Sequence, residues 1–189
     1  MILLVLGLAL WWASHLVKVV APETRAAAVA RMGEGPWKGL ISLVTLVAIA
    51  LMVIGFRAAE EAPVILWTAP LWFWHLNNAL MAVAVVVFTA GFFASPVRRR
   101  IRNPQLTGVK IWAVAHLAVN RELASLLLFG GLLAWAVVAV IGTKRRDGPR
   151  GHVPDTSTGG LVAHLVASAV LYAAIIGVHG WVGVPPFPM

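Results

Sequence analysis

A chain of 189 residues that is 60% hydrophobic and only 12% charged is too apolar for a soluble domain, in which about 25% of residues carry charge. Lys and Arg outnumber Asp and Glu by 15 to 7, giving a formal charge of +8. These basic residues sit in short connections between apolar runs, so they set membrane orientation and meet anionic lipid, and they offer no nucleic-acid surface. With no cysteine, the chain excludes disulfides, thiolate nucleophiles, iron–sulfur ligation and a thiolate axial ligand.

The length suits one all-α, polytopic transmembrane helix bundle, a single domain over residues 1–189. Met1 to about Val20 reads as the first spanning helix. Its charges, Lys18, Arg25 and Arg31, follow the apolar run, the reverse of a cleavable signal. Residues 21–38 form a polar connection whose middle suits a short amphipathic surface helix, capped at Thr24 and ended by Gly33. Trp37 to Phe56 is a second span, and Arg57 to Ala69 an acidic loop with Glu60 and Glu61. Leu71 to Phe93 is a third span that opens on Trp72, Phe73, Trp74 and His75, the content of an interfacial belt.

The strongest charge run follows, Arg98-Arg99-Arg100-Ile101-Arg102. Pro104 then biases Asn103 away from the helical region, which makes Arg102-Asn103-Pro104 a basic turn. Thr107–Asn120 and Leu123–Ile141 read as a hairpin of two helices. The first has only 14 residues, against the roughly 20 that cross a bilayer. Asn120 is expected to cap the second helix, with Arg121-Glu122 at its start, where Glu122 suits the helix dipole. Lys144 to Thr158 is a basic loop, and Leu161 to Trp181 the last span. Placing the basic stretches 18–38, 98–110 and 144–150 on the cytoplasmic side gives about six membrane helices. Both termini are then periplasmic, in a bacterial inner membrane.

The six histidines carry the chemistry, because an ionisable side chain inside a membrane is costly and by default functional. His152 reads as solvated loop and His75 as an interfacial anchor. His164 and His179, near opposite ends of the last helix, read as imidazoles reaching for headgroups. His15 and His116 differ, since each lies well inside its apolar run. Each also closes a Gly-x3-Trp-x3-His pattern, at Gly7-Trp11-His15 and at Gly108-Trp112-His116. Residues four apart share a helix face, so each pattern sets an imidazole beside an indole, with bare backbone one turn further on. Such a face suits a flat apolar macrocycle, and imidazole is the standard proximal ligand of haem iron. Two such helices could hold one haem b between His15 and His116, lined by Trp11, Trp112 and Gly108. The competing reading is coincidence in a chain with 17 Gly and 9 Trp.

Arg102-Asn103-Pro104, Gly108, Trp112, His116 and Asn120, followed by Leu123-Ala124-Ser125 and Phe129-Gly130, resemble the NnrU family, which includes the plant 15-cis-zeta-carotene isomerases. The resemblance covers essentially the whole chain and implies a multi-pass membrane protein. The isomerase branch implies a haem b ligated by histidines, at positions matched here by His15 and His116. It also implies cis–trans isomerisation of an apolar polyene within the bilayer. The bacterial branch is named for an association with nitrite and nitric oxide reduction. That branch implies a non-enzymatic accessory or sensor in denitrification, with nitric oxide as ligand and respiratory membrane proteins as partners. The chain departs from the family at Asn103, where a His is usual, and offers no thiolate to exchange with histidine on iron.

Arg102, Pro104 and Gly108 also resemble, more faintly, the membrane methyltransferases that act on isoprenylcysteine and phospholipids. Those need an acidic pair soon after the following span to hold a methyl donor. Here that region reads Lys144-Arg145-Arg146-Asp147-Gly148.

Overall fold

The computed structural model describes residues 1–151, 155–184 and 186–187, so His152 lies outside the described residues. Among the described residues eight α-helices follow in order: α1 Ile2–Val20, α2 Pro22–Met32, α3 Glu34–Glu60, α4 Trp72–Thr89, α5 Pro96–Arg100, α6 Pro104–Val119, α7 Leu123–Asp147 and α8 Thr158–Trp181. A 3-10 turn, Ala90–Phe92, extends α4. Among the described residues the only extended pairing is an isolated bridge between Ile65 and Glu122. The chain is therefore an all-helical membrane protein.

Among the described residues five helices are long and apolar enough to cross a bilayer: α1, α3, α4 with its 3-10 turn, α7 and α8. Large apolar side chains such as Leu43, Leu46, Val166 and Val170 stand exposed along them, a surface suited to lipid. The sixth expected membrane segment, α6, has 16 residues. At about 1.5 Å per residue it reaches about 24 Å, short of a hydrocarbon core of about 30 Å.

The chain packs as two compact units. The first comprises Met1–Leu66 and Glu122–Gly148. In it α1 and α3 run antiparallel in close contact. A Cβ on Gly7 would lie 2.7 Å from the Ala48 carbonyl oxygen and from Met52, and one on Gly55 would strike the Leu4 backbone. Small residues here let two backbones approach, the usual way to gain dispersion contacts where lipid removes the hydrophobic drive. The α7 helix runs parallel to α1: Leu8 lies against Gly131 and Val19 against Gly142. The Trp12 indole donates to the Gly131 carbonyl at 3.1 Å. Lys18, Arg25, Arg31, Lys38 and Lys144–Arg146 consequently gather at one end of this unit, and Glu60, Glu61 and Glu122 at the other. At that acidic end the Leu123 amide donates to the Val64 carbonyl at 2.9 Å.

The second unit comprises Trp67–Arg121 and Pro149–Met189. Here α4 and α6 run antiparallel, with Gly91 against Gln105 and Gly108 against Ala84 and Phe88. The α8 helix is also antiparallel to α4. The Ser157 amide donates to the Ala94 carbonyl at 3.3 Å, Thr89 and Ser168 share a hydroxyl bond of 2.7 Å, and the Tyr172 hydroxyl donates to the Asn78 carbonyl at 3.1 Å. The expected headgroup role of His164 is overturned: the residue is fully buried, and its Nε2 donates to the Val86 carbonyl at 2.8 Å. α8 begins at Thr158, where the Ser157 hydroxyl accepts from the Gly160 amide. That earlier start carries His164 nearly two turns into the helix.

Other boundaries differ for local reasons. Ala21, not Thr24, caps α2, because Pro22 supplies the first helical φ. Gly33 ends α2 as expected, at φ 89°. Asn120 closes α6 and does not cap the next helix; its amide bonds to the His116 carbonyl, and the cap of α7 is Glu122. α7 runs on through Lys144, Arg145 and Arg146 to Asp147, where cations suit the negative end of the helix dipole. Arg102-Asn103-Pro104 is the expected turn, with Asn103 at φ −123° and ψ 74°.

Candidate functional site

Within the first unit, His15 sits in an aromatic cluster. Trp11, one turn earlier on α1, stacks on its imidazole with centroids 4.0 Å apart and planes 19° from parallel. Trp135 of α7 stands edge-on to both rings, at 5.2 Å from Trp11 and 5.4 Å from His15. The His15 Nδ1 lies 3.0 Å from the Trp11 carbonyl and 3.0 Å from the Ser14 hydroxyl, which itself donates to the same carbonyl. A carbonyl only accepts, so Nδ1 carries the proton and the lone pair falls on Nε2.

Within the second unit, His116 repeats the construction on α6. Its Nδ1 lies 2.9 Å from the Trp112 carbonyl, which again leaves the lone pair on Nε2. The Trp112 ring is 5.2 Å from the imidazole, tilted by 48°. A ligating histidine ordinarily donates its other ring N–H to a carbonyl or carboxylate, which fixes tautomer and orientation. The donor chemistry at His15 and at His116 thus fits an iron-bound haem. The bond alone is not diagnostic, because His179 makes the same one to the Ile175 carbonyl at 2.8 Å. What sets the pair apart is an indole against each imidazole.

The expected open backbone patches are not left open. Gly7 is covered by α3 and Gly108 by α4, where a Cβ would lie 2.7 Å from Phe88 Cβ and 2.8 Å from the Ala84 carbonyl. These glycines hold helices close, and that fixes the rotation of the helix that carries the imidazole. Trp11, His15, Trp112 and His116 remain as the ring-bearing residues. The others of the six play lesser parts: His75 is exposed near the start of α4, and His164 joins α8 to α4.

Two contributors had escaped the sequence reading. Trp135 enters through a contact between helices far apart in the chain, which no spacing rule signals. Ser14 was legible in principle, as a hydroxyl beside the imidazole that could reach the preceding turn. Among the described residues no three His, Asp or Glu side chains gather as a multidentate metal site.

A family model described as NnrU protein matches residues 3–186. No curated protein and no solved structure matches the chain.

Proposed function

The chain belongs to the NnrU family, and from that premise we propose that it binds haem b through His15 and His116 in the bacterial inner membrane, as a cis–trans isomerase of an apolar polyene. The observation that carries the haem reading is the repeated Trp–His construction, in which both imidazoles donate Nδ1–H to a tryptophan carbonyl one turn back. When bound, haem supplies an iron that can exchange electron density with a conjugated chain or take up a diatomic gas. His15 and His116 would hold the haem through Nε2, with the Trp11 and Trp112 carbonyls as the partners of Nδ1. Trp11 and Trp112 stand against the imidazoles. A lipid-exposed apolar surface around the helices suits a substrate that arrives from the bilayer.

The proposed orientation puts both termini in the periplasm. In the first unit α1 and α7 run toward the basic end and α3 away from it. In the second, α4 runs toward the arginine run and α6 and α8 away. Counting α6 as a short sixth pass beside the five long helices, the passes alternate with every basic connection in the cytoplasm.

Purified protein expressed with ample haem is expected to show a Soret band of low-spin, bis-histidine form. His15→Ala or His116→Ala should each remove most haem or leave five-coordinate iron, while His152→Ala should change nothing. No Soret band in the wild type, or unchanged spectra in both single variants, refutes the ligation. A cis-polyene converted on addition supports the isomerase. A spectral shift with nitric oxide and no polyene turnover replaces it with an accessory or sensor of nitrogen-oxide respiration.

A further inference from the structure

The arginine run at the basic end of the second unit is bracketed by two residues whose side chains do an unexpected thing. Ser95 stands at the N-cap of α5 and Asn103 at the N-cap of α6. Ser and Asn are preferred there because the side-chain oxygen accepts a first-turn amide, yet neither makes that bond. Instead the Ser95 hydroxyl, on a residue only 1% exposed, and the Asn103 Nδ2 are buried without a hydrogen-bond partner. Buried polar groups normally have partners, and an orphaned one costs about 1–3 kcal/mol. An amide Nδ2 can only donate and a hydroxyl can do so, so each can serve an acceptor.

The surroundings say what kind of acceptor. Arg98, Arg99, Arg100 and Arg102 lie between the two residues, and residues 67–121 contain no Asp or Glu. The α6 helix also begins here, and its first-turn amides at Gln105 and Leu106 precede the first intrahelical acceptor. Its positive dipole end therefore faces the same stretch. Arg150 latches the segment: its guanidinium donates to the Arg99 carbonyl at 2.7 Å, to the Ile101 carbonyl at 3.3 Å and to the Arg98 carbonyl. Those bonds spend Arg150 on backbone and hold the other arginines in place. The segment is short, with α5 only five residues long, and it carries both side-chain donors and the four arginines between them.

We propose that this turn is a binding site for the phosphate of an anionic phospholipid, with Ser95, Asn103 and the N-terminus of α6 as donors and Arg98–Arg102 as counter-charge. A lipid is favoured over a soluble phosphate compound because the turn joins the end of a membrane-crossing helix to α6. That is headgroup depth. Diffuse attraction of basic loops to acidic lipid needs no buried donor; this site has two.

The test uses the full chain in neutral detergent. Binding of phosphatidylglycerol, phosphatidylcholine and inorganic phosphate is read by native mass spectrometry and by the melting midpoint. Phosphatidylglycerol should bind about tenfold or more tighter than phosphatidylcholine, and Ser95→Ala with Asn103→Ala should cost about tenfold in that affinity with charge unchanged, as expected for lost charge-assisted bonds. If the double variant fails to fold, Asn103→Ala alone, at a half-buried position, should still weaken phosphatidylglycerol severalfold. Equal binding of the two lipids overturns the proposal, as does full affinity in the variants. Inorganic phosphate matching phosphatidylglycerol at equal concentration also overturns it, in favour of a soluble ligand.

Discussion

Replacing Gly108 by alanine adds one methyl group to a helix, which by propensity alone should stabilise α6 by about 1 kcal/mol. The packing reverses that sign. The new Cβ would lie 2.7 Å from Phe88 Cβ, 2.8 Å from the Ala84 oxygen and 3.0 Å from Phe88 Cα, against ordinary contacts of 3.4–4 Å. Two of those three atoms are backbone, so no rotamer change relieves the clash, and α4 and α6 must move apart by at least 0.7 Å along that direction. With three contacts at 3.0 Å or less the upper part of the usual overpacking cost applies, about 2–3 kcal/mol, so Gly108→Ala should be destabilised by about 1–2 kcal/mol net of the propensity gain of about 1 kcal/mol. Gly177→Ala is the control, because nothing lies within 4 Å of a Cβ there; it should be neutral or stabilised by up to about 1 kcal/mol. Unfolding in detergent, followed by loss of helical circular dichroism, measures both. Should Gly108→Ala match or exceed wild-type stability, or Gly177→Ala fall as far, close approach of α4 and α6 is not what Gly108 provides. Haem retention adds a second readout, since α6 carries His116 and a displaced helix should loosen any ligand it holds.

The Thr89–Ser168 hydroxyl pair, at 2.7 Å between buried side chains, should show a coupling of about 0.6 kcal/mol in a Thr89→Val, Ser168→Ala double-mutant cycle, the typical worth of such a bond between membrane helices. Additive losses would mean that the pair does not join α4 to α8. A reporter active only outside the inner membrane should give signal when fused at the C-terminus and none when fused at Arg100. The opposite pattern would invert the orientation drawn from the basic loops.

Much of this protein is set by composition and local pattern. Low charge and long apolar runs determine a helical membrane protein, because an unpaired backbone amide in hydrocarbon leaves helices as the economical solution. Pro104 fixes the turn before α6. Residues four apart bring Trp11 to His15 and Trp112 to His116 by helix geometry alone, so each Trp–His pair was legible in one dimension. What the chain could not state locally depends on which helix packs against which. Gly7 and Gly108 look like bare patches until α3 and α4 are seen to lie on them. His164 looks like a headgroup anchor until α8 is seen to pack on α4, which sets the imidazole against the Val86 carbonyl. Trp135 joins His15 only because α7 lies parallel to α1 across more than a hundred residues of chain. Helix periodicity acts within a segment, whereas the shape of the neighbouring helix decides what a glycine, an indole or a buried imidazole is for.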